Sequence, residues 1–543
     1  MQTPYQAFTQ RATLDPQAPF LLAPAAAELP YARDGFRCSY GETAAQVEAV
    51  RHAYAAAGYG HGARVGLLLE NRPDFFVHWL ALNGLGAAVF PINPDLQAGD
   101  LAHLLGIAEP DLVVTLPEKR GLVESAGMAP ARIAPPDGTL PRCRVAVGRD
   151  RGTASDECAL LFTSGTTGKP KGCVLSNFYV LHLARWYGAQ GGLAAIRDGG
   201  EVAATPLPMF HMNALACSTM GMILKGGAVV PLDRFHASRW WRTLAEAGAT
   251  VIHYLGVMPA VLLKLPPAPA DRAHRVRFGF GAGVDPDHHQ AFETRFGFPL
   301  VEVWGMTEAG AGAVTTTGTG PRHVGSRCIG RLGAAMAYRI VDEEDRDAPP
   351  GSPGELLVRA RGGDPRRGFF SGYLKDKAAT AQAWAGGWFH TGDVVRADAD
   401  GYLFFVDRKK NIVRRSGENI SVVEVESVLD SFDEVAAVAV APVADAVRGE
   451  EVCALIRLAR GAPDAAAATI AQDIVTRCAE RLAYFKLPGW VAFVDTLPVT
   501  ATQKLQRGET RALAARLIAD GTALDLRDFK TATRLRRAEA GGG

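Results

Sequence analysis

Leu161-Phe162-Thr163-Ser164-Gly165-Thr166-Thr167-Gly168-Lys169-Pro170-Lys171-Gly172 is the run on which the reading of the chain turns. It follows Glu157-Cys158-Ala159-Leu160, which predicts the start of a buried strand. It precedes Cys173-Val174-Leu175-Ser176-Asn177, where order restarts ahead of a helix expected from Asn177. The run holds three glycines, four hydroxyl side chains and two lysines. Glycine admits positive φ and lets another group approach the backbone. Successive exposed N–H groups and hydroxyls form a concave anion site, and the lysines add charge. Such a run suits a polyphosphate.

It is not a Walker A loop. That motif continues from Gly-Lys to Ser or Thr, whose hydroxyl ligates magnesium at a helix start. Here Lys169 is followed by Pro170, which has no N–H, and the position five before Gly168 is Thr163 rather than Gly. The remaining alternative, a Gly/Ser/Thr-rich surface loop, leaves unexplained why hydroxyls, glycines and lysines alternate directly after an apolar strand.

At 543 residues the chain exceeds one ordinary domain. Its composition, 48% hydrophobic, supplies ample core. Lys+Arg 58 against Asp+Glu 57 leaves a formal net charge of +1, so no strong field draws the chain to nucleic acid or anionic lipid. The 8 cysteines are scattered with no C-x-x-C, which suggests neither a zinc site nor a disulfide scaffold and fits a reducing cytoplasm. Met1-Gln2-Thr3-Pro4 lacks the basic and apolar regions of a secretory signal. The longer apolar runs are broken by Gly, Pro, His or Lys, so no membrane span is expected.

Outward from the central run, helix and strand signals alternate. Ala44–Ala57 and Pro73–Asn83 read as helices, and residues 64–69, 87–92 and 111–115 as strands, the pattern of a parallel α/β sheet. Residues 203–213 read as a strand ending in a Pro-bounded turn with Phe210 and His211, where the ring can wall a pocket and the imidazole approach a carboxylate. Gly281-Ala282-Gly283, after a strand-like Val276, lets a flat base lie near backbone, though glycines also make ordinary turns. Val301-Glu302-Val303-Trp304-Gly305-Met306-Thr307-Glu308 reads as a strand running into a polar pair. There Trp304 can stack on a purine, Thr307 can bond a phosphate and Glu308 can ligate magnesium. Asp393, read at a strand end behind Thr391-Gly392, can take both ribose hydroxyls. The strand 402–406 ends in the charged run Asp407-Arg408-Lys409-Lys410, which marks a domain boundary, with Lys409 read as a solvated charge. From Val422 a small α+β domain is expected, with helices at 424–429 and 465–482 and strands at 435–441, 451–457 and 491–494.

In combination and in order these motifs closely resemble those of the adenylate-forming superfamily: acyl-CoA synthetases, luciferases and peptide-synthetase adenylation domains. The resemblance covers residues 1 to about 515, and the run from Gly387 to Glu424 is most similar to the crotonobetaine/carnitine–CoA ligase group. It implies a large multi-subdomain α/β N-terminal domain (1–409) and a small mobile C-terminal α+β domain (410–515) on a hinge; the mildly basic, glycine-ended tail beyond it is expected to be a partly disordered extension (516–543). The resemblance implies that Thr163, Ser164, Gly165, Thr166, Thr167, Gly168, Lys169 and Lys171 hold phosphates. Gly281, Ala282, Gly283, Trp304 and Gly305 would take the adenine side, and Asp393 and Arg408 the ribose. Thr307 and Glu308 would act in catalysis, Glu308 as the magnesium ligand, with His211 at the mouth of the acyl pocket. Lys410 matches the pivot, and Gly417, with Glu418 beside it, the pantetheine tunnel. The catalytic lysine falls on Lys504, although Gln503 replaces the glycine that usually precedes it, and Trp304 stands where tyrosine is usual. Amino-acid-activating members carry an aspartate where this chain has His211 and Asn213, which argues against an α-amino acid substrate.

The activity so implied is that of an ATP-dependent acyl-CoA ligase. A carboxylate attacks the α-phosphate of ATP to give acyl-AMP and pyrophosphate, and the thiol of CoA then displaces AMP. The cofactors implied are ATP, Mg2+ and coenzyme A, and the partner a small carboxylic acid, with no nucleic acid and no membrane span. A homodimer is compatible with it. Two alternatives stay open: transfer of the acyl group to a carrier protein or an amine, and a non-catalytic nucleotide-binding protein.

Overall fold

The strand Glu157–Thr163 lies antiparallel to Lys171–Ser176, in register from Glu157↔Ser176 to Thr163↔Lys171. Between them stand residues 164–170. The computed structural model describes residues 2–145, 148, 151–163, 170–315, 320–415, 418–445, 448–459, 467–499 and 505–531. Ser164, Gly165, Thr166, Thr167, Gly168, Lys169, Gly417 and Lys504 therefore lie outside the described residues, as do the side chains of Lys410 and Glu418. Ser176 caps the helix Asn177–Gly188, accepting from the Tyr179 N–H, so that helix starts where the sequence placed it.

The chain divides into a large unit (Met1–Ser352, Leu356–Thr391, Arg396–Phe404) and a small one (Pro353–Glu355, Gly392–Val395, Phe405–Gly543). In the large unit the central hairpin belongs to a sheet ordered Gly372–Tyr373, Lys171–Ser176, Glu157–Thr163, Ala88–Pro91, Arg64–Leu68, Leu112–Thr115, Ile133–Ala134. Its strands from Glu157–Thr163 to Ile133–Ala134 are parallel, and they are apolar because helices cover both faces. A longer sheet runs in the order Cys328–Leu332, Gly310–Val314, Leu300–Met306, Phe278–Ala282, Val251–Leu255, Val202–Thr205, Ala228–Pro231, Pro19–Pro24, Gly35–Ser39. It is parallel from Leu300–Met306 to Pro19–Pro24, so the ends of Phe278–Ala282 and Leu300–Met306 fall side by side.

The helix expected over 44–57 is Tyr40–Ala56, because Ser39 and Glu42 close a capping box that starts it earlier. After the His211 turn comes a π-helix, Asn213–Met220, which no sequence periodicity announced. No helix among the described residues is long and apolar enough to cross a membrane.

The small unit packs Val413, Ile420, Val440, Ile456, Ile474 and Val491 into one core. Val435–Asp445 pairs antiparallel with Gly449–Leu458, which runs parallel to Trp490–Phe493. The sequence reading ended this domain near 515, but helix Arg507–Ala519 passes that point and Leu524–Asp525 pairs with Trp490–Phe493. Within the expected extension, Lys530 is fully buried. Two apolar sides, around Ala514 and Leu526, give this segment enough contact to order it.

Candidate active site

Glu308 sits in the turn after Leu300–Met306 and is 6% exposed. Its Oε1 accepts hydrogen bonds from the Thr163 hydroxyl at 3.3 Å and the Tyr373 hydroxyl at 3.0 Å. Thr163 is the last described residue before the 164–169 run, and Tyr373 pairs with Cys173 just after it. The carboxylate is thus tied to both ends of the phosphate-type run. Backbone bonds hold it further: the Phe370 N–H donates to Glu308 O at 2.9 Å, and the Tyr179 hydroxyl to Thr307 O at 2.8 Å. Lys171 Nζ stands 5.0 Å over the Tyr373 ring. Burial, and then the Glu308 charge, push the Tyr373 phenol up, so it stays a donor. Burial and Glu308 likewise raise the neighbouring Cys173 thiol, which stays protonated.

The adenine-side candidates are joined by a residue that the sequence did not single out. Glu302, buried in Leu300–Met306, accepts from Gly283 N at 3.0 Å, Val284 N at 3.4 Å and the Tyr254 hydroxyl at 2.6 Å. Burial raises its pKa against these donors. The Gly281-Ala282-Gly283 turn is thereby fixed to the Trp304 strand. Only glycine fits at 281, where a Cβ would come 2.2 Å from Tyr254 O. Ala282 and Gly283 are exposed, and so is Gly305, beside a register shift between Trp304 and Gly305. Trp304 itself is 4% exposed and packs tightly on Gly312, so little of the indole is open. His211 is half-buried against Phe210, with ring centroids 4.7 Å apart.

In the small unit, Asp393 lies in the middle of Phe389–Ala397 rather than at the strand end expected from sequence. It is buried and forms an ion pair with Arg408 Nε at 2.5 Å, which joins the two ribose candidates. Asp407 accepts from Arg408 N at 2.6 Å and from the Ser421 hydroxyl at 2.8 Å, and this pins the turn Lys409–Asn411. Lys409, read as a solvated charge, pairs with the buried Glu355 at 2.7 Å. Arg415, on the strand that follows, is buried against Glu451 at 2.7 Å.

A buried carboxylate with one oxygen already bonded, beside the hydroxyls of Thr163 and Tyr373, fits a hard divalent cation such as Mg2+, which takes few protein ligands and keeps waters.

Residues 8–374 match the AMP-binding enzyme family and residues 424–504 the AMP-binding enzyme C-terminal domain. The chain is 30% identical over 487 residues to a crotonobetaine/carnitine–CoA ligase of Salmonella paratyphi B, covering 86% of this chain and 92% of that protein. Among solved structures, ATP-bound MatB from Rhodopseudomonas palustris is 25% identical, with a TM-score of 0.77 over 94% of this chain and 98% of that one. The anthranilate CoA ligase AuaEII in complex with anthranoyl-AMP, 22% identical, shares the fold at a TM-score of 0.81 over 95% and 98%. With both domains matched in order around the Thr163–Glu308–Tyr373 cluster, the chain belongs to the AMP-binding enzyme family, the adenylate-forming enzymes.

Proposed function

We propose that the protein is an ATP-dependent acyl-CoA ligase. The observation that carries this reading is the buried Glu308 carboxylate, tied by Thr163 and Tyr373 to both ends of the 164–169 run. The oxygen of a carboxylic acid attacks the ATP α-phosphorus and pyrophosphate leaves, giving acyl-AMP. The CoA thiol then attacks the acyl carbon, AMP leaves, and the thioester forms. Mg2+, when bound, offsets phosphate charge. Glu308 would hold it, and the hydroxyls and N–H groups of residues 163–171 would cradle the phosphates. Asp393 would accept from the ribose hydroxyls, with Arg408 beside it. Lys504 would bridge the attacking carboxylate and the phosphate during the first step. CoA as acceptor is supported by the name of the relative at 30% identity, a crotonobetaine/carnitine–CoA ligase. His211 and Asn213, in place of a carboxylate, speak against an α-amino acid.

The test is pyrophosphate release with MgATP and a panel of carboxylic acids, with and without CoA. At least one acid should give release, and thioester should appear only with CoA. Lys504→Ala should cut release by about a hundred-fold while leaving thioester formation from supplied acyl-AMP nearly intact. Release without CoA consumption would move the acceptor to a carrier protein or an amine.

Tyr373 gives a second test. Tyr373→Phe removes the donor at 3.0 Å from Glu308 Oε1 but keeps the ring under Lys171. The Mg2+ concentration for half-maximal release should rise by about ten-fold, because partners of a ligating carboxylate set its orientation. An unchanged Mg2+ dependence would show that Thr163 and the backbone suffice.

A further inference from the structure

Behind the His211 turn lies a chain of three polar side chains that the reaction as proposed does not use. The Tyr187 hydroxyl of helix Asn177–Gly188 lies 2.9 Å from His253 Nε2, on strand Val251–Leu255. His253 Nδ1 lies 2.6 Å from Asn213 Oδ1, at the first residue of the π-helix. Tyr187 and His253 are fully buried, among Phe280 and one another. Burial pushes the His253 imidazole down to about 3, so the ring is neutral. A neutral imidazole has one donor and one acceptor. The asparagine oxygen only accepts, so Nδ1 carries the proton and Nε2 accepts from the Tyr187 hydroxyl.

This order has a direction. The Asn213 carbonyl is turned inward to His253, and its NH2 group faces away from the ring. Asn213, unlike Tyr187 and His253, is only half-buried, as are its neighbours His211 and Met212. The buried chain therefore surfaces at the Asn213 amide, beside His211. The wide turn that carries it is braced by the hydroxyls of Ser218, 3.3 Å from Asn213 O, and Thr219, 2.8 Å from Ala214 O. π-Helical turns are rare and are found frequently at functional sites.

We propose that Asn213 is a specificity-determining residue whose N–H groups donate to a hydrogen-bond acceptor on the acyl chain. The preferred substrates are then oxo- or hydroxy-substituted carboxylic acids, ahead of their hydrocarbon or ammonium-bearing counterparts. A hydrocarbon acid leaves the amide N–H groups unpaired on closure, which costs affinity, whereas a matched acceptor replaces water. An ammonium-bearing acid finds a donor where it needs a carboxylate. Glu302, a carboxylate on the neighbouring strand, is already bonded by Tyr254, Gly283 and Val284. Tyr187 and His253 act through Asn213 and are positioning residues. The assignment rests on the acyl-CoA ligase reading for its substrate class.

The experiment compares straight-chain acids, oxo acids with the ketone at each successive carbon, and the corresponding trimethylammonio acids. Pyrophosphate release and calorimetric binding in the presence of AMP are both read, on wild type, Asn213→Leu, Asn213→Asp and Tyr187→Phe. In wild type the best oxo acid should exceed its hydrocarbon parent in kcat/KM by about ten-fold or more. Asn213→Leu should erase that preference, and Asn213→Asp, which is nearly isosteric and keeps the test open if the leucine variant does not fold, should turn it toward the ammonium acid. Tyr187→Phe, which frees the imidazole, should weaken the preference without abolishing turnover. Release whose ranking is the same in wild type and both Asn213 variants overturns the assignment and leaves the ligase reading intact. Oxo acids that bind in an Asn213-dependent way without releasing pyrophosphate uphold the assignment and sink the ligase reading. If no acid binds or reacts, both fall.

Discussion

Glu308→Gln is expected to lower kcat/KM for carboxylate-dependent pyrophosphate release by about two to three orders of magnitude. The glutamine keeps the shape of the side chain, and its carbonyl oxygen can still accept from Thr163 and Tyr373, which bond Oε1 in the native protein. The Phe370 and Tyr179 bonds reach backbone atoms and are untouched. The substitution therefore removes a charge and little else. That charge is buried, where an ionic interaction is far less screened than in water. Binding of ATP without Mg2+ should hardly change, and the response of ATP affinity to added Mg2+ should flatten, which calorimetry reads directly. A loss smaller than about ten-fold would mean that the metal is held elsewhere, and the site would have to be redrawn.

Glu451→Ala should destabilise the small unit by about 3–5 kcal/mol, the usual cost of leaving buried charge without its partner. Glu451 is fully buried at the start of Gly449–Leu458, with Oε2 accepting from Arg415 Nε at 2.7 Å and Oε1 from Lys530 Nζ at 2.9 Å. Lys530 also donates to the carbonyls of Leu487 at 2.5 Å and Phe485 at 3.2 Å, which uses all three of its protons. Removing the carboxylate leaves two buried cations facing each other. Urea unfolding followed through Trp490, the one tryptophan of this unit, should show the loss as a lower midpoint, while the transition of the large unit stays in place. A shift below about 1 kcal/mol would mean that water reaches the site and screens it. Burial holds the Lys530 ammonium down at about 8, against 10.5 for a free lysine. Between those pH values the unfolded chain carries a proton that the folded chain lacks, so stability of the unit rises with pH across that window. Lys530→Met should abolish the rise.

Much of the site was legible because its parts are local. The hydroxyl–glycine–lysine run, the Trp304-to-Glu308 turn and the Asp407-Arg408 pair each declare themselves within a few residues, by the chemistry of neighbours in sequence. The apolar strands of a covered parallel sheet are equally local, and the helices Pro73–Gly84 and Asn177–Gly188 start where proline and a serine cap place them. Lys504 and Gly417 were legible by resemblance alone and rest on that.

The supporting residues were not legible, and they share one property. Tyr373 reaches Glu308 across 65 residues, Tyr179 reaches Thr307 across 128, and Lys530 reaches Glu451 across 79. A lone tyrosine or lysine has no period and no motif, so nothing in its neighbourhood says which distant backbone or carboxylate it will meet. Arg415 shows the same limit: beside Arg414 it looks like surface charge, and only the pairing of Ile412–Arg415 with Gly449–Leu458 buries it against Glu451. The tail around Lys530 read as an extension for the same reason. Sequence by itself determined the α/β class and singled out the hydroxyl–glycine–lysine run, Glu308 and Asp393 as candidates, because covalent neighbours set those patterns. Which side chains hold them, and that His253 turns the Asn213 amide outward, were decided only by the tertiary structure, because hydrogen bonds between sequence-distant groups exist only once the sheets have brought them together.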